Sequence, residues 1–175
     1  FWTQLLERAS ERTQLHAGRS PGVEHWIGTG AGISGLAYNY VIRKKQGTVE
    51  LYISRGKGKK AENKEIFDRL ILHKDSIEHT FGGQLDWQRL DAKQGCRIAW
   101  HYDADGYRGP ESNWPAIQDE MISAMIRLEN TFAPHLTTFT SEGLETSESM
   151  PTRSIYTSVQ GGADTNEQES TNGHN

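Results

Sequence analysis

The stretch GTGAGISGLAYNYVI, residues 28–42, decides the fold, because it contains Gly30-Ala31-Gly32-Ile33-Ser34-Gly35, a literal G-x-G-x-x-G. In a dinucleotide site those glycines follow a strand and open a helix whose N-terminal N–H groups meet the pyrophosphate, and a parallel crossover strand comes next. Here the residues after Gly35 alternate, with Leu36, Tyr38, Tyr40 and Ile42 on one side. Alternation of aromatic and β-branched residues specifies a strand. After KKQG, the run TVELYIS alternates again through Val49, Leu51 and Ile53. That is a hairpin partner, so the glycines are expected to form a bent connection between two strands, where glycine permits positive φ and close backbone approach.

Working outward, FWTQLLERASERTQLHA places Phe1, Trp2, Leu5, Leu6 and Ala9 on one stripe and predicts a helix ending near Ala17-Gly18. RSPG reads as a turn and VEHWI as a short strand leading into the glycines. ENKEIFDRLILHKDSIEHTF has helical spacing, with Ile66, Leu70 and Ile77 on one stripe and Phe67 and Ile71 beside it. LDWQRL and CRIAWHY read as strands joined by the DAKQG turn. Asn113 is placed to cap a last helix with Pro115 in its first turn, carrying Trp114, Ile117, Met121, Met125, Leu128 and Phe132 down one face. The expected order is α-β-β-β-α-β-β-α, an α+β domain in which an antiparallel sheet of about five strands carries helices packed on it.

The chain of 175 residues allows one domain with spare length. Residues 137–175 are rich in Thr, Ser, Glu, Gly and Asn, with one Arg against six acids, and read as a disordered acidic tail; the folded domain is expected over 1–136. Up to Leu136 eighteen lysines and arginines face seventeen acids, so the distribution of charge says more than its sum. No apolar run approaches the roughly 20 residues of a membrane span. Cys96 is alone, which excludes a disulfide framework and suits a reducing, cytoplasmic setting. A beginning at Phe1, already inside an amphipathic helix, suggests a piece of a longer chain.

The strongest charge feature is RGKGKKAENK, residues 55–64; the wider stretch 43–64 holds eight bases and two acids. Glycine-spaced lysines before a helix suit contact with a phosphate backbone, and the plainer alternative is a solvated loop. Glu62-Asn63-Lys64 and Asp91-Ala92-Lys93 match the acid-x-Lys half of a magnesium-dependent nuclease signature, with Glu50 a third acid. Against that reading, Glu62 opens a helix and Asp91 sits in a turn. Asp103 to Gly106 starts like a calcium loop but has Arg108 and Trp114 where the pattern needs Gly and Glu. No spacing of the seven histidines makes a metal site, and no metal or cofactor is expected for a binding module. Cys96 alternates inward with Ile98 and Trp100, as a structural thiol. Arg97 and His101 point to the opposite face beside Gln88, a polar face that is either solvated or a binding surface. Trp26, Trp87, Trp100 and Trp114 are expected to serve packing.

The motifs LHAGRSPGVEHWIGTGAG, LAYNYVI, VELYISRG, ENKEIFDRL, LDWQRLDAKQGCRI and GYRGPESNWPAIQDEMISAMIRLE, in this order, resemble a bacterial family catalogued as domain of unknown function 4268. The resemblance covers about Phe1 to Phe132. It implies a C-terminal half beside a nuclease-like N-terminal half, of the kind met in restriction and phage defence, and brings no established catalytic residues. With the charge pattern it leads to an expectation of a DNA- or RNA-binding, target-recognition module. The expected backbone contacts are Arg55, Lys57, Lys59, Lys60 and Lys64, joined by Arg89, Lys93, Arg97 and Arg108. The acidic tail would compete with nucleic acid for the basic loop. The alternatives are a protein-interaction or dimerisation module, and a divergent nuclease using Glu50, Glu62 and Lys64, or Asp91 and Lys93.

Overall fold

The computed structural model describes residues 1–103 and 106–141. The elements run α1 (Trp2–Ser10), β1 (Trp26–Gly30), β2 (Leu36–Ile42), β3 (Gln46–Ile53), α2 (Lys60–Ile71), α3 (Lys74–Phe81), β4 (Asp86–Gln88), β5 (Cys96–Asp103), two short 3-10 turns and α4 (Trp114–Ser141). The five strands form one antiparallel sheet in the order β1-β2-β3-β5-β4. The fold is therefore α+β, as the alternation in residues 36–53 requires.

The glycine segment is the β1–β2 connection. Ala31 N donates to Leu36 O at 2.9 Å and Leu36 N to Ile33 O at 3.0 Å, closing the loop. Gly32 and Gly35 both hold φ above +80°, and a Cβ on Gly35 would press into the Arg55 backbone, 2.8 Å from its nitrogen. Gly28 and Gly30 belong to β1 itself, which starts at Trp26 rather than Val23. The Gly28 position has no room for a Cβ because the Asn39 side chain lies across it.

Strand register sorts the side chains onto two faces. Ile27, Tyr38, Tyr40, Val49, Leu51, Cys96, Ile98 and Trp87 share one face and join the core with Leu5, Phe67, Ile77, Phe81, Met125, Leu128 and Phe132 of the helices. Burying these aliphatic and aromatic side chains is the main stabilising term, each contributing about 1.5–3 kcal/mol. The second face carries Trp26, Gly28, Asn39, Thr48, Glu50, Tyr52, Arg97, His101, Asp86 and Gln88. Its buried members lie outside the core cluster.

Other segments also differ from the sequence reading. Helix α1 stops at Ser10, because the following residues form turns in which the Thr13 hydroxyl accepts the Leu15 N–H at 3.1 Å and competes with helical bonding. The 62–81 stretch is two helices: His73 N bonds back to Leu70 O at 3.0 Å and Leu72 is left 80% exposed, which lets α3 set Ile77 and Phe81 against the core. RSPG is an irregular connection rather than a turn. Helix α4 passes the expected boundary at 136 and buries Phe139, under the Arg69 guanidinium at 4.3 Å. The expected tail from 142 on and the Asp103–Gly106 turn at Ala104 and Asp105 lie outside the described residues. Among the described residues no helix is long and apolar enough to cross a membrane.

Candidate functional site

The cations expected to meet phosphate divide between the two ends of the sheet. At the end where β3 leaves for α2, two side chains of the first turns of α2 fasten the 54–60 loop to the 89–95 connection. Asn63 accepts the Arg55 N–H at 2.9 Å and donates to Gln94 O at 3.0 Å. Lys64 is buried, and its Nζ donates to Arg89 O at 2.5 Å, Leu90 O at 2.9 Å and Gly95 O at 2.8 Å, with Cys96 Sγ at 3.3 Å. Gln94 also reaches back to Gly56 O. Lysines 57, 59 and 60 and the pair Arg89 and Lys93 are thus presented on adjoining loops.

Not all of them are free for a ligand. Lys59 is paired with Glu62 at 2.6 Å and Arg55 with the same carboxylate at 3.2 Å. The Lys59 hydrogen bond holds the Glu62 carboxyl below the ordinary range. Arg89 forks onto Asp68 at 2.8 and 2.9 Å and also binds Asp91, which depresses the Asp68 carboxyl and raises Arg89. Lys57, Lys60 and Lys93 are exposed and make no ion pair among the described residues. The sequence reading of Lys64 as a phosphate contact is corrected: three backbone carbonyls and a thiol already saturate its ammonium.

Arg108 lies at the other end. Tyr107 N bonds to Arg43 O at 3.1 Å and Arg108 N to Lys44 O at 3.4 Å, with Gly106 tight against the same backbone. This brings Arg108 beside Arg43, Lys44 and Lys45 of the β2–β3 turn, all exposed and none ion-paired among the described residues. The sequence reading counted residues 43–45 in the basic stretch but did not connect them with Arg108, because the contact spans more than sixty positions.

Between the two ends runs a polar row on the second face. Gly28, Asn39, Glu50, Ala99 and Asp86 are directly in register across all five strands. Glu50 is fully buried; Asn39 Nδ2 donates to its Oε1 at 3.1 Å and Arg97 Nη1 lies 3.8 Å from its Oε2. Arg97 Nε donates to Gln88 Oε1 at 2.5 Å, and Gln88 donates to Asp86. Asp86 accepts from His101 Nε2 at 3.0 Å, which leaves His101 Nδ1 to accept the Thr48 hydroxyl at 2.9 Å. Buried charge demands such partners. Burial, then Glu50, push the Tyr52 phenol up to about 12. Arg97, His101, Asp86 and Gln88 remain half-exposed, a rim of donors and acceptors over a buried floor.

The nuclease alternative is not assembled. Glu50 and Lys64 lie on opposite faces, since Lys64 reaches Cys96 while Glu50 pairs with Ala99 in the alternate phase of β5. Glu62 and Asp91 are each engaged with neighbouring cations, and no group of three or more acids, histidines or cysteines suited to a metal ion occurs among the described residues. Cys96 is fully buried, and burial raises its thiol. Trp87, Trp100 and Trp114 pack as expected, against Phe67, Tyr102 and Phe1; Trp26 instead lies on the second face.

No curated protein and no solved structure matches the chain significantly. The profile of a family described as Domain of unknown function (DUF4268) matches residues 1–136, which takes in every strand and most of α4. The chain therefore belongs to the DUF4268 family.

Proposed function

We propose that this domain is a nucleic-acid-binding module, the recognition part of a nuclease- or defence-type protein working in a reducing, cytoplasmic setting. The observation that carries the reading is the clustering of cations that make no ion pair among the described residues: Arg43, Lys44, Lys45 and Arg108 at one end of the sheet, Lys57, Lys60 and Lys93 at the other. Long cationic side chains without local carboxylate partners keep their full charge for phosphate. The clusters sit beyond opposite ends of β3, whose eight residues span about 26 Å. Along a duplex axis, where each strand carries one phosphate per about 3.4 Å, that span matches roughly seven to eight base pairs. The half-exposed Arg97 and His101 lie between them on the polar face.

The test is fluorescence anisotropy of the 1–175 chain with labelled duplex and single-stranded DNA, and with RNA, over a salt series. Two charge-reversal variants accompany it, Lys44→Glu/Lys45→Glu/Arg108→Glu and Lys57→Glu/Lys60→Glu/Lys93→Glu. Binding should weaken steeply with salt, and each variant should flatten the logarithmic salt slope by about 2–3, close to 0.9 for each lost phosphate contact. Absence of binding at low salt to all three nucleic acids, or variants that bind as the parent does, overturns the reading. Because Phe139 belongs to the core, a tail-competition test removes residues 142–175 rather than 137–175. Tighter binding after that deletion supports competition by the acidic segment, and unchanged affinity refutes it.

A further inference from the structure

The glycine connection between β1 and β2 also forms one wall of a cleft of about 350 Å³. Its lining includes Gly32 and Ile33 of that connection, Leu15 and Tyr38, and Glu129 and Leu136 of α4. The volume is at the small end of organic-ligand pockets. Two features make it a built site rather than a surface dent. Glu129 is half-buried with no hydrogen-bond or ion-pair partner among the described residues, and burial alone raises its carboxyl above the ordinary range. Tyr38 is only 3% exposed and its hydroxyl has no hydrogen-bond partner among the described residues. The Tyr40 hydroxyl and His16 Nδ1 are likewise buried without partners, with the His16 ring 4.6 Å from that of Tyr40. Orphaned buried polar groups are uncommon in native structures and mark places where a further partner belongs.

The charge in the cleft says what that partner is. A phosphate, the ligand a G-x-G-x-x-G suggests, would face a carboxylate with no intervening cation. We propose that the cleft binds a small amphipathic organic cation, an amine or guanidinium on a short apolar body. Its head pairs with Glu129 and donates to the Tyr38 hydroxyl, and its body lies on Leu15, Ile33 and Leu136. Arg12 makes no ion pair with Glu129 among the described residues; its Nη2 donates to the Ser123 hydroxyl at 2.9 Å. The Tyr38 oxygen is closed to solvent, so this contact takes a small side-chain shift that opens it to the dehydrated head. A free cationic metabolite and the side chain of an arginine or lysine on a partner peptide present the same chemistry. The site is independent of the cation clusters proposed to meet nucleic acid.

The test is a nitrogen–proton NMR titration of the full chain, following the amides of Gly30, Ala31 and Gly32, with butylguanidinium as probe. Its neutral isostere butylurea, inorganic phosphate and an end-blocked Gly-Arg-Gly peptide form the other arms. Saturable shifts at millimolar butylguanidinium are expected, at least about tenfold weaker with butylurea. The variants Glu129→Gln and Tyr38→Phe should each weaken the probe, Glu129→Gln by about tenfold or more, with the dispersion of the spectrum reporting that the fold persists. Saturation by the blocked peptide as tight as by the free probe supports the site and assigns it to a partner's basic side chain; much weaker peptide binding supports a free ligand. Equal response to butylurea, a response to phosphate in its place, no saturable shift, or unchanged affinity in both variants overturns the proposal.

Discussion

Replacing Lys64 with methionine tests whether one buried ammonium holds the basic end together. Methionine keeps an unbranched apolar stem of similar length, so the change removes the charge and its donors while leaving most of the packing. The ammonium has three protons to share among three carbonyls and a thiol, at 2.5–3.3 Å. A hydrogen bond from a charged donor contributes about 1.5–3 kcal/mol, and the cost of desolvating the ammonium offsets part of their sum. The carbonyls of Arg89 and Leu90 lie on a connection whose residues 91–93 are exposed, so water can replace part of what is lost; Gly95 is buried. The net loss is about 2–4 kcal/mol, a large share of the roughly 5–15 kcal/mol of a typical domain. For a domain of this size that lowers the melting temperature by about 10 °C.

The same variant has a local signature. Leu90 holds φ at +54°, costly for a residue with a Cβ, and its carbonyl is one of the three that Lys64 captures. Without the ammonium the 89–95 connection should loosen. The Lys93 amide, bonded to Leu90 O at 2.8 Å, should then exchange faster than the amides of β5. Urea denaturation followed by far-ultraviolet circular dichroism gives the global figure, and amide hydrogen exchange gives the local one. A Lys64→Met protein within about 1 kcal/mol of the parent, with unchanged protection at Lys93, would refute the view that Lys64 is a structural clasp.

Other outcomes follow from the same geometry. Gly35→Ala, where φ is +83° and a Cβ meets the Arg55 backbone, should cost well over 2 kcal/mol, whereas Gly32→Ala, at φ +81° but in open space, should cost only about 1–2 kcal/mol; equal melting temperatures would show that the close approach is not real. Burial lowers the His16 pKa to about 4 from its usual 6.5. The unfolded chain therefore binds this proton first, and stability falls as pH drops from about 6.5 toward 4. Urea titrations at pH 7 and pH 5 should show a smaller acid loss for His16→Gln than for the parent; equal losses would remove His16 from the account. Cys96, fully buried with a raised thiol pKa, should react with a thiol reagent only at the rate of opening, so fast labelling of the native protein would contradict its position.

The sheet was legible in the sequence because each of its central strands alternates and the connections are short. Tyr38, Tyr40, Val49 and Leu51 announce one face by period two, and the two-residue turn at Lys44-Lys45 fixes which residues oppose one another. The helical stretch 62–81 was harder, since its apolar spacing is the same whether the axis runs straight or bends. Nothing at Leu72-His73, neither Gly nor Pro, marks the break; it follows from where α3 must go to cover the core. The continuation of α4 past 136 went unread for a related reason. Composition averages over a window, whereas Phe139 is one residue whose burial depends on α4 reaching it.

The candidate site was legible only where pairing could be derived from local spacing. Asn39 and Glu50 are polar residues at the centres of two apolar strands, and they lie eleven positions apart around a tight turn, so the hairpin register alone sets them opposite. Strand alternation and turn length together are enough to mark them as a polar pair. The fate of the lysines could not be found so. Lys57 and Lys64 look alike in RGKGKKAENK, yet Lys57 is left in solvent while Lys64 is drawn beneath the 89–95 connection by carbonyls some 25–31 positions away in sequence. Charge in a sequence therefore counts candidates, and long-range backbone geometry decides which of them stay available. Here that selection removes Lys64, neutralises Lys59 and Arg89, and adds Arg43, Lys44 and Lys45 beside Arg108. The nucleic-acid reading thus turns on a surface that no single stretch of the sequence contains, and charge reversal at Lys44, Lys45 and Arg108 is the perturbation that discriminates it from a solvated loop.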